Sequence, residues 1–149
     1  MNISAEERAL YYVERLAEVI RCKTVSKKDG FEAAEFLKLR EVIKKLFPLM
    51  TEKAELRILG DDAYLYKIKG RDESRNVMVM SHHDVVDATG DWQEEPFAGV
   101  IRDGKLWGRG TVDTKTPLFA EFSAIEELLG EGFEFPVNTY LFSSHNEEH

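Results

Sequence analysis

Two short apolar runs, Val77-Met78-Val79-Met80 and Val137 to Phe142, each lead into a cluster of imidazole or carboxylate groups. His82-x-Asp84 follows the first run and Glu147-Glu148 follows the second. A third acid, Asp113, comes shortly after a hairpin pattern that closes at Trp107. Apolar runs too short for a helix read as strands. Val77 to Met80, apolar at every position, reads as a central strand buried on both faces. Strands separated by helices predict an α/β layered sheet. In such sheets ligands gather beyond the carboxyl ends of the strands, so His82, Asp113, Glu147 and Glu148 are expected together at one end of the sheet.

The intervening segments supply the helices. Ser4-x-x-Glu7 is a capping box, and Leu10, Val13, Leu16, Ala17 and Ile20 follow at helical spacing, which predicts a helix over 5–21. Lys23 to Lys28 reads as a polar break. Asp29-x-x-Glu32 is a second N-cap signal before an apolar face of Phe36, Leu39, Ile43, Leu46 and Phe47, and Pro48 is expected to close that helix. The pattern then alternates. Ala54 to Leu59 and Ala63 to Lys69 read as hairpin strands around a Gly60-Asp61-Asp62 turn, and 70–76 as a charged turn. Asp103-Gly104 between Val100-Ile101-Arg102 and Lys105-Leu106-Trp107 predicts a type I′ hairpin. Pro117 fits the first turn of a helix ended by Gly130 and Gly132. Neither a repeat nor a linker divides the chain, so one domain is expected over its 149 residues.

Composition narrows the functions. With 43% hydrophobic and 32% charged residues the chain is an ordinary globular one. Its net charge of −8 argues against a nucleic-acid partner, whose phosphates need a basic surface. The longest apolar run falls short of the ~20 residues of a membrane span. Cys22 is the only cysteine, which excludes an internal disulfide and makes a reducing cytoplasm the expected compartment.

The chemistry lies in the polar clusters. In an extended segment His82 and Asp84 lie on the same side, so Asp84 can accept from one ring nitrogen while the other binds a metal. His83 points the other way and reads as a packing residue. Asp113 can bridge two metal ions as readily as it can cap a helix. Adjacent acids such as Glu147 and Glu148 can divide labour, one binding metal and the other taking a proton from water. Taken singly, each has an ordinary reading: a structural histidine, a helix cap, a solvated loop. Their common placement after separate strand segments favours a site. His145 and His149 are additional nitrogen donors nearby. A non-haem iron triad could also use His82 and Asp84, but it favours a β-rich barrel, and the helices argue against it.

The order His82-x-Asp84-Val85-Val86, Trp92, Pro96-Phe97, Asp103-Gly104, Trp107-Gly108-Arg109-Gly110-x-x-Asp113-x-Lys115, Glu147-Glu148 resembles the M20 family of co-catalytic zinc peptidases and N-acyl-amino-acid hydrolases, in its carboxypeptidase S-like and aminoacylase-like branch. The opening helix and Lys23-Thr24-Val25-Ser26 fit as well. The resemblance implies a three-layer α/β/α catalytic domain with a mixed central sheet. It implies two Zn2+ ions, with Co2+ or Mn2+ as alternatives, and a small peptide or N-acyl amino acid as substrate. By resemblance His82 binds one zinc, Asp84 orients His82, Asp113 bridges both ions through a cis Asp113–Thr114 peptide, Glu147 is the general base and Glu148 binds the second zinc. Asp84 and Glu147 are thus the catalytic candidates, and His82, Asp113 and Glu148 the metal candidates. Lys115 and Arg109 would be structural.

Thr116 departs from the glycine usual after Asp-x-Lys. The family's further acidic ligand, its final His ligand and its lid or dimerisation domain lie beyond position 149. The expectation is therefore the N-terminal portion of one M20-type catalytic domain, truncated on its C-terminal side and inactive by itself. The alternative is a non-catalytic α/β fragment with weak metal binding. The oligomeric state is left open.

Overall fold

A computed structural model of the chain describes residues 4–149. Helix α1 spans Ala5–Ile20 and opens on the expected capping box: the Glu7 amide donates to Ser4 Oγ at 3.1 Å and the Ser4 amide to Glu7 Oε2 at 2.8 Å. A small hairpin, β1 (Ser26–Lys27) and β2 (Gly30–Phe31), precedes α2 (Ala33–Leu46). Because that hairpin takes up Asp29, the expected Asp29 cap does not form; Glu32 occupies the N-cap position without a side-chain bond. Pro48 does end α2, and it also opens a short helix, α3 (Pro48–Lys53).

Strands β3 (Glu55–Leu59), β4 (Ala63–Ile68), β5 (Asp72–His82) and β8 (Val137–Ser144) form one sheet in the order β3-β4-β8-β5. The pairs β3/β4 and β4/β8 are antiparallel and β5/β8 is parallel, so the sheet is mixed as expected. Between β5 and β8 lie the hairpin β6 (Val100–Arg102) and β7 (Lys105–Trp107) and the helix α4 (Lys115–Gly130). Asp103 and Gly104 have φ of 53° and 69°, the two positive values that a type I′ turn needs.

Side-chain alternation decides where the core sits. Tyr64, Tyr66 and Ile68 of β4 share a face with Leu141 of β8 and join Val19, Leu39, Ile43, Leu46, Met50, Leu118, Phe119, Phe122 and Ile125 in one buried cluster. The four helices among the described residues therefore contribute to a core on a single face of the sheet. The opposite face presents Leu65, Tyr140 and Phe142, half-buried, beside Met78 and Met80.

Strand β5 departs from expectation. It is longer than the apolar run, taking in most of the presumed charged turn, and it lies at the sheet edge. Val77, Met78, Val79 and Met80 are 45%, 48%, 37% and 65% exposed. The reason is that β5 pairs only with β8, and among the described residues nothing covers its outer edge or its Met78–Met80 face. None of the described helices is long and apolar enough to cross a membrane.

Candidate metal centre

Because β5 and β8 are parallel, their carboxyl ends lie side by side, with His82 the register partner of Ser144. The chain leaving β5 carries Asp84 and the chain leaving β8 carries Glu147 and Glu148. The loop from β7 to α4 brings Asp113. One ligand atom each from His82, Asp113 and Glu148 lie within 4.8 Å of one another. His82 Nε2 is 3.1 Å from Asp113 Oδ1 and 3.7 Å from Glu147 Oε2. The His82 side chain is 10% exposed and that of Asp113 75%, so the cluster has a buried wall and an open mouth.

Asp84 is fully buried and organises the cluster. Its Oδ1 lies 3.2 Å from His82 Nδ1 and accepts from the Glu147 amide at 3.2 Å. Its Oδ2 accepts from the Glu148 amide at 3.1 Å and from the Ser26 hydroxyl at 2.6 Å. A buried carboxylate needs such donors to offset its desolvation. Nδ1 of His82 faces the Asp84 carboxylate and, at 3.1 Å, the Asp84 carbonyl, both acceptors. With a cation on the Nε2 side, the ring proton would sit on Nδ1.

Nε2 in turn faces Asp113 Oδ1, so both ring nitrogens meet oxygen atoms, and a cation held between Nε2 and Oδ1 would fit that arrangement. Ligand atoms at the usual 2.0–2.2 Å from a tetrahedral zinc stand roughly 3.3–3.6 Å apart, so the 3.1 Å separation would have to open by a few tenths of an ångström to admit one. The donor set of imidazole and carboxylates thus fits a divalent metal.

The loop carrying Asp113 is pinned at several points. The Lys115 amide donates to the Gly110 carbonyl at 3.0 Å, Thr111 Oγ1 to the Gly108 carbonyl at 2.9 Å, and Thr116 Oγ1 to the Thr111 carbonyl at 2.5 Å. Gly110 has φ of 90° and packs so closely on Val85 that a Cβ would come within 2.9 Å of Val85 Cγ1. The Asp113–Thr114 peptide is cis. Lys115, fully buried, donates from Nζ to the Cys22 carbonyl at 2.5 Å, and burial pushes its pKa down to about 8. Arg109 stands 5.0 Å over the Trp92 ring. Neither cation belongs to the group of three.

His83 points to the helical face, as its place in the strand dictates. It stacks on Tyr64 with centroids 4.2 Å apart and pairs through Nδ1 with Ser143 Oγ at 2.8 Å. Burial holds its imidazole below the usual pKa against the opposite pull of Asp62. Asp62 itself was expected only in a turn; it is buried, accepts from Tyr64 Oη at 2.9 Å and pairs with Arg40. Burial alone would raise its carboxyl, but His83, Tyr64 and Arg40 outweigh that and hold it low. Nothing in the pattern Gly60-Asp61-Asp62 separates the buried acid from its exposed neighbour. His145 packs edge-on to Phe31 at 5.6 Å, and His149 Nε2 lies 3.0 Å from the Ser26 carbonyl, so neither joins the three-residue cluster. Ser26 is the site neighbour to which the sequence reading gave no role: its segment fits the family resemblance, but by residue pattern it reads as a polar break.

Residues 78–149 match the family model described as peptidase family M20/M25/M40. A protein named Probable carboxypeptidase S-like 2 from Dictyostelium discoideum is 36% identical over 91% of this chain and 27% of its own length. An N-fatty-acyl-amino acid synthase/hydrolase from Xenopus tropicalis is 33% identical over 97% of this chain and 29% of its own length. Among solved structures, an M20 family metallo-carboxypeptidase from Sulfolobus solfataricus superposes with a TM-score of 0.74 at 25% identity, over 92% of this chain and 31% of that one. The chain belongs to peptidase family M20. It spans less than a third of the length of these relatives.

Proposed function

We propose that this chain carries the metal-holding part of a hydrolase that cleaves the amide bond of a small peptide or an N-acyl amino acid. His82, Asp113 and Glu148 would hold the metal, zinc being the best match to the donors, and Asp113 would be the carboxylate shared if two ions bind. When bound, such a cation polarises a carbonyl and makes water more acidic. Glu147 is the base. Its carboxylate lies 3.7 Å from His82 Nε2, is 59% exposed at the mouth, and stands outside the group of three donors. Glu147 takes the proton that water releases as its oxygen bonds to the amide carbon, then passes that proton to the amine nitrogen as the C–N bond breaks. Asp84 orients the His82 ring through Nδ1 and holds the backbone under both glutamates.

The observation that carries this reading is the convergence of His82, Asp113 and Glu148, whose ligand atoms lie within 4.8 Å of one another, with His82 Nε2 3.1 Å from Asp113 Oδ1. The names of the relatives support the substrate class: carboxypeptidases and N-acyl-amino-acid hydrolases both act on an amide bond to an amino acid. If Asp113 serves two ions, each keeps two of these three residues, whereas a catalytic zinc takes three protein ligands. We therefore expect the 149 residues alone to bind zinc weakly and to hydrolyse poorly, with further donors coming from the additional length seen in relatives. The unpaired, buried Cys22 favours a reducing compartment, the cytoplasm. Zinc titration by calorimetry tests the reading: the wild-type chain should take up zinc, and His82→Ala and Asp113→Ala should not. Absence of uptake by the wild-type chain at millimolar zinc would reject it.

A further inference from the structure

Thr24, Val25 and Ser26 are 0%, 7% and 3% exposed, unusual for a polar stretch between two helices. They lie alongside His83-Asp84-Val85. Val25 and Val85 form a parallel bridge; the Ser26 amide donates to the Val85 carbonyl at 3.2 Å and the Val85 amide to the Thr24 carbonyl at 2.9 Å. Thr24 Oγ1 adds a bond to the His83 carbonyl at 2.5 Å. This brace straddles Asp84 and sets Ser26 Oγ against it.

Four donors meet the Asp84 carboxylate: His82 Nδ1, the amides of Glu147 and Glu148, and the Ser26 hydroxyl. The Ser26 contact is the shortest, 2.6 Å against 3.1 to 3.2 Å for the others. It is also the one that comes from outside the two segments leaving β5 and β8. The torsion of a carboxylate about its last bond is soft, so its rotation is set by its hydrogen bonds. We propose that Ser26 is a positioning residue: its hydroxyl fixes the rotation of Asp84, so that Oδ1 serves His82 Nδ1 and the Glu147 amide while Oδ2 serves the Glu148 amide. Through Asp84, Ser26 sets both the tautomer of His82 and the placement of the two glutamates. The inference rests on the proposed reading of His82 and Glu148 as metal ligands.

The test uses the whole chain with Ser26→Ala, with Ser26→Cys (nearly the same shape, a weak donor) and with Ser26→Thr, which keeps the hydroxyl. Ile43→Val, in the core, controls for lost stability. In the metal-free proteins at one pH, 15N-histidine NMR reads the His82 tautomer. The wild-type ring should show the proton on Nδ1. Ser26→Ala and Ser26→Cys should give a mixture of tautomers and roughly tenfold weaker zinc binding, the size of effect seen when a group behind a metal ligand is removed. Ser26→Thr should restore both, and Ile43→Val should lower Tm with neither changed. If Ser26→Ala does not fold, Ser26→Cys decides alone. A wild-type His82 spectrum in both donor-poor variants overturns the proposal. Failure of the wild-type chain to bind zinc would instead strike the metal reading, with the His82 spectrum still deciding the role of Ser26.

Discussion

Lys115 donates its buried ammonium to the carbonyl of Cys22, just past the carboxyl end of α1. It lies 3.4 Å from the Val19 carbonyl as well. The last carbonyls of a helix lack intrahelical partners, so a cation there satisfies them and complements the helix dipole. Burial outweighs this and lowers the Lys115 pKa to about 8. An unfolded lysine titrates near ~10.4. Between those values the unfolded chain holds more protons than the folded one, so stability rises with pH. The penalty is full below pH ~8 and is relieved above it. Cys22 acts the other way, since burial raises its thiol pKa. In a Cys22→Ala background, urea unfolding should therefore show stability increasing from pH 8 to about 9.5, and adding Lys115→Met should flatten that slope. An unchanged slope would show that the ammonium is solvated.

The paired acids should separate. Glu147→Gln removes the proposed base and leaves the group of three intact, so it should keep zinc while abolishing turnover in a longer form that carries the full ligand complement. Glu148→Ala removes a member of the group and should lose zinc even in the present chain. Calorimetry on both variants, with kinetics on the longer form, measures the split. Equal loss of metal in both would reject the division of labour.

Local signals predicted local structure well. The Ser4–Glu7 box and the Asp103-Gly104 turn are set by neighbours within four residues, and both form as read. That His82, Asp113 and Glu148 meet was legible because each follows a strand segment, whichever role it plays. Asp62, His83 and Arg40 were not legible as a network, and neither was the link from Ser26 to Asp84, because partners 21 to 58 residues apart leave no periodic trace. The Asp29 cap failed because a hairpin competed for the same residues. Burial of β5 failed for another reason: an apolar run states that cover is favourable, not that it is present.

That uncovered strand has a measurable consequence. Among the described residues the outer edge of β5 has no paired strand beside Met78 and Met80, and such edges pair readily with other chains. The 149-residue chain should self-associate as its concentration rises in sedimentation velocity runs. Met78→Lys with Met80→Lys should reduce that association without lowering Tm, because both side chains are already about half exposed or more. Association unaffected by the two lysines would place the contact elsewhere.

Two glycines with positive φ make opposite demands. Gly104 sits at the β6–β7 turn with φ of 69° and nothing within 4 Å of an added Cβ. Gly104→Ala should cost only the left-handed backbone penalty, about 1–2 kcal/mol. Gly110 has φ of 90°, and an added Cβ would meet Val85 Cγ1 at 2.9 Å and Lys115 Cδ at 3.1 Å. Gly110→Ala should carry the backbone penalty plus an overpacking cost of roughly 1–3 kcal/mol. Val85 is fully buried between Asp84 and the brace from Thr24 to Ser26, so it has little room to yield. The strain should pass instead to the loop holding Asp113. Thermal unfolding should rank Gly110→Ala below Gly104→Ala, and zinc titration should show weaker binding for Gly110→Ala alone. If both variants bind zinc as the wild type does, the packing of Gly110 on Val85 is not what positions Asp113.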